Sequence, residues 1–320
     1  MSSVAIRQTV GKLGRVLAAA LVLGAWLPSC PFLDCGIPPR KIKVMTSVFP
    51  LQEFARAVAG EEAEVNLLLP PGAGIHSWQP RPSDLVKLSA ADLFIYIGAR
   101  LEPWADDILR SLAGRQIHSL EVAAFLPLME SPEEGSHGHA EDRAGLDPHV
   151  WLDFEYDQAI IRRIQEILSE LDPANASWFR ENAESYIARL AALDRVFRQE
   201  LSPCPRRIFV VGGHAAFGYL AKRYGLRQVS LYGLSPDSEP TPGQMIEIIN
   251  LARQEGIKHI YFESNVSPKL ARVLAKEIHA STLTLNPGHN ITKEEAARGM
   301  TFLQLMEDNL VSLKKGLCDE

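Results

Sequence analysis

The stretch DPANASWFRENAESYIARLAALDRVFRQEL, residues 172–201, decides how the rest of the chain is divided. No glycine or proline lies between Pro173 and Pro203, and apolar residues recur along one stripe at Phe179, Ala183, Tyr186, Leu190, Leu193 and Phe197. This periodicity predicts one continuous helix of about 40 Å, at about 1.5 Å per residue. Asp172 as the N-cap and Pro173 at the first helical position suit its start. Because the helix is longer than one domain layer needs, we interpret residues 173–202 as a linking helix between two lobes.

Short apolar, β-branched runs alternate with helical patterns on both sides of this linking helix. The predicted strands are residues 41–49, 65–69 and 92–97 before it and residues 207–211, 259–262 and 282–285 after it. Strands that alternate with helices indicate mainly parallel sheets that are covered on both faces. The predicted fold class is therefore α/β, with an N-terminal lobe at residues 41–172, a C-terminal lobe at residues 203–320 and a long rigid α-helix that bridges them. A final helix is predicted from Lys293 to Leu313.

The composition narrows the class of protein. Of the 320 residues, 46% are hydrophobic and 22% are charged, and the formal net charge is −6. This balance excludes a wholly disordered chain and a collagen-like or coiled-coil rod. Because no excess of Lys and Arg is available to neutralise phosphates, we expect no nucleic acid among the partners.

The N-terminus has the pattern of a secretory signal. Arg7, Lys12 and Arg15 precede an uncharged apolar run at residues 16–27, which is shorter than the roughly 20 residues of a membrane-spanning helix. The run ends in Leu-Pro-Ser-Cys at residues 27–30, which resembles the lipobox of bacterial lipoproteins. We therefore expect residues 1–29 to be a signal peptide of lipoprotein type, residues 30–40 to be a tether, and Cys30 to carry a lipid.

Cleavage before Cys30 changes the length and the net charge of the mature protein. Loss of 29 of the 320 residues, with three positive charges, leaves 291 residues and lowers the net charge from −6 to −9. The predicted location is periplasmic or anchored at the outer face of the membrane. With Cys30 as the anchor, three of the four cysteines remain and at most one disulfide can form within the mature chain. Cys204 with Cys318 is the first pairing to test, which leaves Cys35 as the odd thiol.

Three histidines lie where a metal site would need them. His76 lies in PPGAGIHSWQPRPSD, His149 in LDPHVWLD and His214 in RIFVVGGHAAFGYLAKRYGL. His76 and His214 directly follow predicted strands, and ligands of open α/β sheets bind outside the carboxyl ends of strands. Neutral imidazole is the commonest metal ligand, and three imidazoles suit Zn²⁺. The spacings match no local metal motif, so from the residues alone each could equally be an ordinary loop or cap histidine.

The sequences around these histidines strongly resemble the zinc and manganese solute-binding proteins of bacterial ABC importers, the metal-binding cluster A-I family, and its zinc-uptake type in particular. The later segments SPDSEPTPGQM and YFESNVSPKLARVLAKE match the same family, so that the resemblance covers about residues 41–313. It implies two α/β lobes with one metal ion in the cleft between them. It also implies an extracytoplasmic, high-affinity zinc-binding protein, expected as a monomer, that delivers Zn²⁺ to an ABC-transporter permease and its ATPase. By the same resemblance His76, His149 and His214 are metal ligands.

The fourth ligand position departs from the family. The family usually has an aspartate in the turn that reads TLNPGHN here, and the matching residue is Asn286. Asn offers only a neutral carbonyl oxygen, so water, His289 or Glu263 are alternative fourth ligands. Three imidazoles without an obligatory carboxylate favour Zn²⁺ over Mn²⁺, which prefers harder oxygen ligands.

The acidic segment SPEEGSHGHAEDRAG, residues 131–145, contains two further histidines, His137 and His139. It resembles a short version of the His-rich acidic loop of zinc-importing family members. Three interpretations stay open at this point: a weak second zinc site, a segment that recruits metal, or a solvated loop.

Three other classes of protein are alternatives to an importer component. The chain contains no HExxH, GxSxG, P-loop or GxGxxG motif, and we expect no enzyme activity. The rival enzyme is a secreted zinc hydrolase that would use the same three histidines with an open fourth position. A manganese-specific binding protein and a surface adhesin are the further alternatives.

Overall fold

The computed structural model describes residues 40–130, 145–234, 240–264 and 267–319. Residues Lys41–Glu320 form one compact unit. The predicted signal peptide, Cys30 and Cys35, and the histidines His137 and His139 lie outside the described residues. Among the residues described, no helix combines the length and the apolar character that crossing a membrane requires.

The first lobe is a four-stranded parallel sheet with helices. Its strands lie in the order β2-β1-β3-β4, and every neighbouring pair is parallel. In chain order the elements are β1 (Ile42–Thr46), α1 (Phe49–Ala59), β2 (Ala63–Leu67), α2 (Pro82–Leu88), β3 (Leu93–Tyr96), α3 (Ala105–Ser111) and β4 (His118–Glu121). The sequence patterns missed β4, because this edge strand buries only Leu120 and shows no apolar alternation.

Two long helices follow, α4 (Phe154–Leu171) and α5 (Ala176–Leu201). The apolar stripe of α5 is buried, as its periodicity predicts. The predicted start of α5 at Asp172 and Pro173 is wrong: Pro173–Asn175 form a separate 3-10 turn. Asp172 precedes this 3-10 turn and makes no side-chain capping bond; its side chain accepts from the Asn175 side chain and its carbonyl from the Asn175 backbone N–H. Helix α5 packs against α4 and α1 of the first lobe and against the C-terminal helix of the second.

The second lobe repeats the arrangement of the first, with strand order β6-β5-β7-β8 and every neighbouring pair parallel. Its elements are β5 (Ile208–Val211), α6 (Gly218–Arg223), β6 (Arg227–Ser230), α7 (Pro242–Gln254), β7 (His259–Glu263), α8 (Lys269–Glu277), β8 (Ser281–Leu285), α9 (Lys293–Ala297) and α10 (Phe302–Cys318). The edge strand β6 was also not predicted, since none of its four residues is fully buried. The predicted α/β class with two mainly parallel sheets is confirmed.

The predicted single helix from Lys293 to Leu313 is wrong. Helix α9 ends at Ala297, and Gly299 adopts a φ of 70°, which a right-handed helix does not contain. The Thr301 side chain then accepts from the backbone N–H of Gln304 and starts α10 as a new helix. The disulfide between Cys204 and Cys318 is confirmed, and it ties the end of α10 to the segment that follows α5.

Candidate metal site

The structure brings His76, His149 and His214 together. One donor nitrogen from each side chain lies within 4.8 Å of the other two. Among the residues that the structure describes, this is the one group of three or more His, Cys, Asp or Glu donors arranged closely enough to hold a metal ion. His149 and His214 are fully buried and His76 is half-buried, so the histidine cluster is almost closed to solvent.

Each histidine of the cluster is placed by a turn at the end of a regular element. His76 lies in the Pro/Gly-rich turn after β2, and His149 precedes the short 3-10 turn that leads into α4. His214 follows β5 through Gly212 and Gly213. A side chain at either glycine would collide with its surroundings, because Ala271 packs against Gly212 and the Glu263 carboxylate lies against Gly213.

A carboxylate contacts the Nδ1 side of each of the two fully buried histidines. Asp147 Oδ1 accepts from the backbone N of His149 at 2.9 Å and lies 2.8 Å from its Nδ1. Glu263 Oε1 accepts from the backbone N of His214 at 2.7 Å and lies 2.8 Å from its Nδ1. Because an ionised carboxylate only accepts hydrogen bonds, the proton of each ring lies on Nδ1 and the lone pair lies on Nε2.

The two lone pairs point at each other. His149 Nε2 and His214 Nε2 are 3.2 Å apart, and two bare acceptors at that distance cannot form a hydrogen bond. Two nitrogens bound to one tetrahedral zinc ion at about 2.05 Å would be separated by about 3.3 Å. The pair is therefore arranged for a cation that both nitrogens can bind.

His76 completes a triangle around the same point. Its ring centroid is 5.7 Å from that of His149 and 5.1 Å from that of His214, and the latter two are 5.1 Å apart. Its Nε2 is buried and has no hydrogen-bond partner. Burial and the neighbouring histidines lower the pKa of His76 to about 2, and burial lowers the pKa of His149. The rings of His76 and His149 are therefore kept in the neutral form that binds metal.

Of the candidate fourth ligands, Asn286 is engaged in its own turn. Its Oδ1 accepts from the backbone N of Gly288 at 2.9 Å. Its backbone N and O pair with the side chain of Asn309, both at 2.8 Å. Glu263 contacts the Nδ1 side of His214, opposite the Nε2 that faces the cluster.

His289 lies against the cluster. Its ring centroid is 6.2 Å from those of His76 and His214, and only 3% of the residue is exposed. Its Nδ1 has no partner, and burial together with the charges that His214 and His149 would carry lowers its pKa to about 3.

The sequence analysis missed the supporting role of Asp147, although its position two residues before His149 was a readable signal. For Glu263 there was no such signal, because 49 positions separate it from His214.

Comparison with known proteins identifies a family and several proteins to which this chain is similar. The family ZnuA, described as "Zinc-uptake complex component A periplasmic", matches residues 44–316. The high-affinity zinc uptake system protein ZnuA of Bacillus subtilis is 35% identical over 281 residues, which are 87% of this chain and 88% of that protein.

Two further matches are to one protein of Streptococcus pneumoniae. The zinc-binding lipoprotein AdcA is 36% identical over 279 residues, 86% of this chain, but the chain spans only about half of AdcA, 56% of its length. The crystal structure of the Zn(II)-bound ZnuA-like domain of AdcA has a TM-score of 0.75 and 33% identity, and it covers 88% of this chain and 100% of that domain.

Proposed function

The chain belongs to the ZnuA family of periplasmic zinc-uptake components, and from this premise we propose that it binds Zn²⁺ outside the cytoplasm and delivers it to an ABC-transporter permease. In this proposal His76, His149 and His214 bind the ion through nitrogen. The periplasmic description of the family and the lipoprotein among the relatives support an extracytoplasmic location.

The pair of facing Nε2 atoms, 3.2 Å apart, is the observation that carries the proposal. Asp147 and Glu263 hold both imidazoles in the tautomer that leaves these atoms free. The two buried carboxylates also supply two negative charges beside the cluster, which balance the charge of one divalent cation. Nitrogen donors favour Zn²⁺ over Mn²⁺.

Binding and transport fit the site better than hydrolysis does. A zinc hydrolase needs a carboxylate that can take a proton from metal-bound water. Both carboxylates beside the cluster instead contact the Nδ1 side of an imidazole, away from the facing Nε2 atoms. We therefore propose a solute-binding protein without catalytic turnover.

Several parts of this proposal come from the sequence. They are a signal peptide at residues 1–29, a lipid on Cys30 after a cleavage that leaves residues 30–40 as a tether, a monomeric state, and a permease with its ATPase as partners. The proposed domain limits are residues 41–172 for the first lobe, 173–202 for the linking helix and 203–320 for the second lobe. His137 and His139 are proposed as a secondary metal site in the acidic loop.

Metal titration tests the function. Calorimetric titration of the purified, metal-stripped protein is expected to show one tight Zn²⁺ site per chain. His149→Ala and His214→Ala are expected to weaken it by at least about 100-fold, because each removes a ligand together with the imidazole that pairs with a buried carboxylate. His118→Ala, at an exposed histidine on β4, is the matched control. Zinc affinity equal to that of the control in both cluster variants would refute the proposal.

A further inference from the structure

The turn after β8 presents a fourth imidazole to the histidine cluster. His289 is almost completely buried, and its Nδ1 has no hydrogen-bond partner. A buried polar nitrogen without a partner destabilises the fold, so its retention beside three other imidazoles requires a reason. A bound cation that accepts the nitrogen as a ligand supplies one.

The ring of His289 lies slightly farther from the other rings than four imidazoles on one zinc ion would lie from each other. Four imidazoles on one tetrahedral zinc ion, with Zn–N bonds of about 2.05 Å and ring centroids about 1.15 Å further out, have centroids about 5.2 Å apart. The three distances within the cluster are 5.1, 5.1 and 5.7 Å. His289 is 6.2 Å from both His76 and His214, about 1 Å farther than a tetrahedral site requires.

The backbone of His289 is fixed relative to the loop that carries His76. The carbonyl of His289 accepts from the backbone N of Phe49 at 3.1 Å. The side chain of the next residue, Asn290, donates to the carbonyls of Pro70 and Ala73 at 2.8 Å each. Both acceptors belong to the turn between β2 and His76.

Gly288 shapes the turn on the other side of His289. It adopts a φ of 80°, and a side chain there would press against Met306 and Trp151. With the backbone held on both sides, we expect the fourth bond to form by a movement of the His289 side chain.

We infer that His289 is the fourth zinc ligand, so that the ion is held by four imidazoles and by no carboxylate. The inference rests on the proposed function. The Oδ1 of Asn286 accepts from the backbone N of Gly288 within its own turn, and Glu263 contacts the Nδ1 side of His214, so we assign neither residue to this position. The donor set is neutral and consists of nitrogen alone. It discriminates against Mn²⁺, whose preferred ligands are oxygen atoms.

X-ray absorption spectroscopy of the zinc-loaded protein tests the inference directly. The multiple-scattering signal counts the imidazoles on the ion, and the wild-type protein is expected to show four. His289→Ala is expected to show three imidazoles and one light atom, with zinc affinity about 10- to 100-fold lower. His118→Ala is expected to keep all four. The wild-type count is independent of how well any variant folds.

A second variant tests the selectivity. His289→Glu, which introduces an oxygen donor, is expected to raise the affinity for Mn²⁺ relative to Zn²⁺ by at least about 10-fold. Three imidazoles in the wild-type protein, or an unchanged spectrum in His289→Ala, would overturn the inference and leave the proposed zinc-binding function intact. Absence of a histidine-bound zinc ion from the wild-type protein would refute both.

Discussion

The indole Nε1 of Trp151 donates a hydrogen bond of 2.7 Å to the backbone carbonyl of Pro287. Trp151 lies two positions after His149, Pro287 lies two positions before His289, and 136 positions separate the two bonded residues. Trp151 is fully buried. This single contact therefore joins the segment of one histidine of the cluster to the turn that carries His289.

Trp151→Phe is expected to weaken zinc binding and to destabilise the fold. Phe retains most of the buried ring but leaves the Pro287 carbonyl without its donor, at a cost of about 1–3 kcal/mol. Because the turn that carries His289 is held less firmly, zinc affinity is expected to fall about 10-fold. Thermal unfolding and zinc titration measure the two effects. The control is Trp178→Phe, at an exposed position of α5, and equal behaviour of the two variants would contradict the prediction.

The carboxylates behind the histidines are expected to tune zinc affinity without binding the ion. Asp147→Asn and Glu263→Gln should each lower it by about 10- to 100-fold, because the amide no longer dictates the ring tautomer. Competition with a zinc chelator measures the change. Asp107→Asn, which removes a surface partner of Arg110, serves as the control and should have no effect. If Asp147→Asn matches that control, Asp147 does not orient His149.

Asp157 on α4 is expected to make stability depend on pH. Its carboxyl group is buried, neither oxygen has a hydrogen-bond partner, and burial raises its pKa well above 3.8. Since the folded state prefers the protonated acid, its contribution to stability is complete below about pH 3.8 and is lost as the pH rises through the raised pKa.

Asp157→Asn removes this titration and retains the shape of the side chain. At pH 8 the variant is expected to be more stable than the wild-type protein by about 1–3 kcal/mol, and the difference should shrink towards pH 5. Urea unfolding at both pH values measures it. An unaltered pH dependence in the variant would show that another group is responsible.

The disulfide between Cys204 and Cys318 is expected to stabilise the fold and to leave zinc binding unchanged. It closes a long loop, with a sequence separation of 114, and removing it should cost about 2–4 kcal/mol. Cys204 precedes β5, whereas His214 follows the opposite end of the same strand. The double variant Cys204→Ser/Cys318→Ser should therefore unfold at a lower temperature with a zinc affinity like that of the wild-type protein. A matching loss of zinc affinity would show that the disulfide also positions His214.

Secondary structure was predictable where an element buries a whole face. The stripe of α5 is such a case, because six spaced apolar side chains all enter the core. The edge strands β4 and β6 were missed because a four-residue strand at the rim of a sheet buries too few side chains to create a pattern. The break between α9 and α10 was missed because Gly299 by itself is compatible with a helix, and only the cap at Thr301 shows where the next one begins.

The amino-acid sequence by itself determined the two α/β lobes, the linking helix and three histidines at or near the ends of regular elements, because local periodicity and turn residues encode these features. Only the tertiary structure decided that His149 and His214 face each other through Nε2 across 65 positions, that Glu263 fixes the tautomer of His214, and that His289 lies against the cluster. The physical reason is that ring orientation and hydrogen-bond partners depend on how distant segments pack, and no local pattern records that packing.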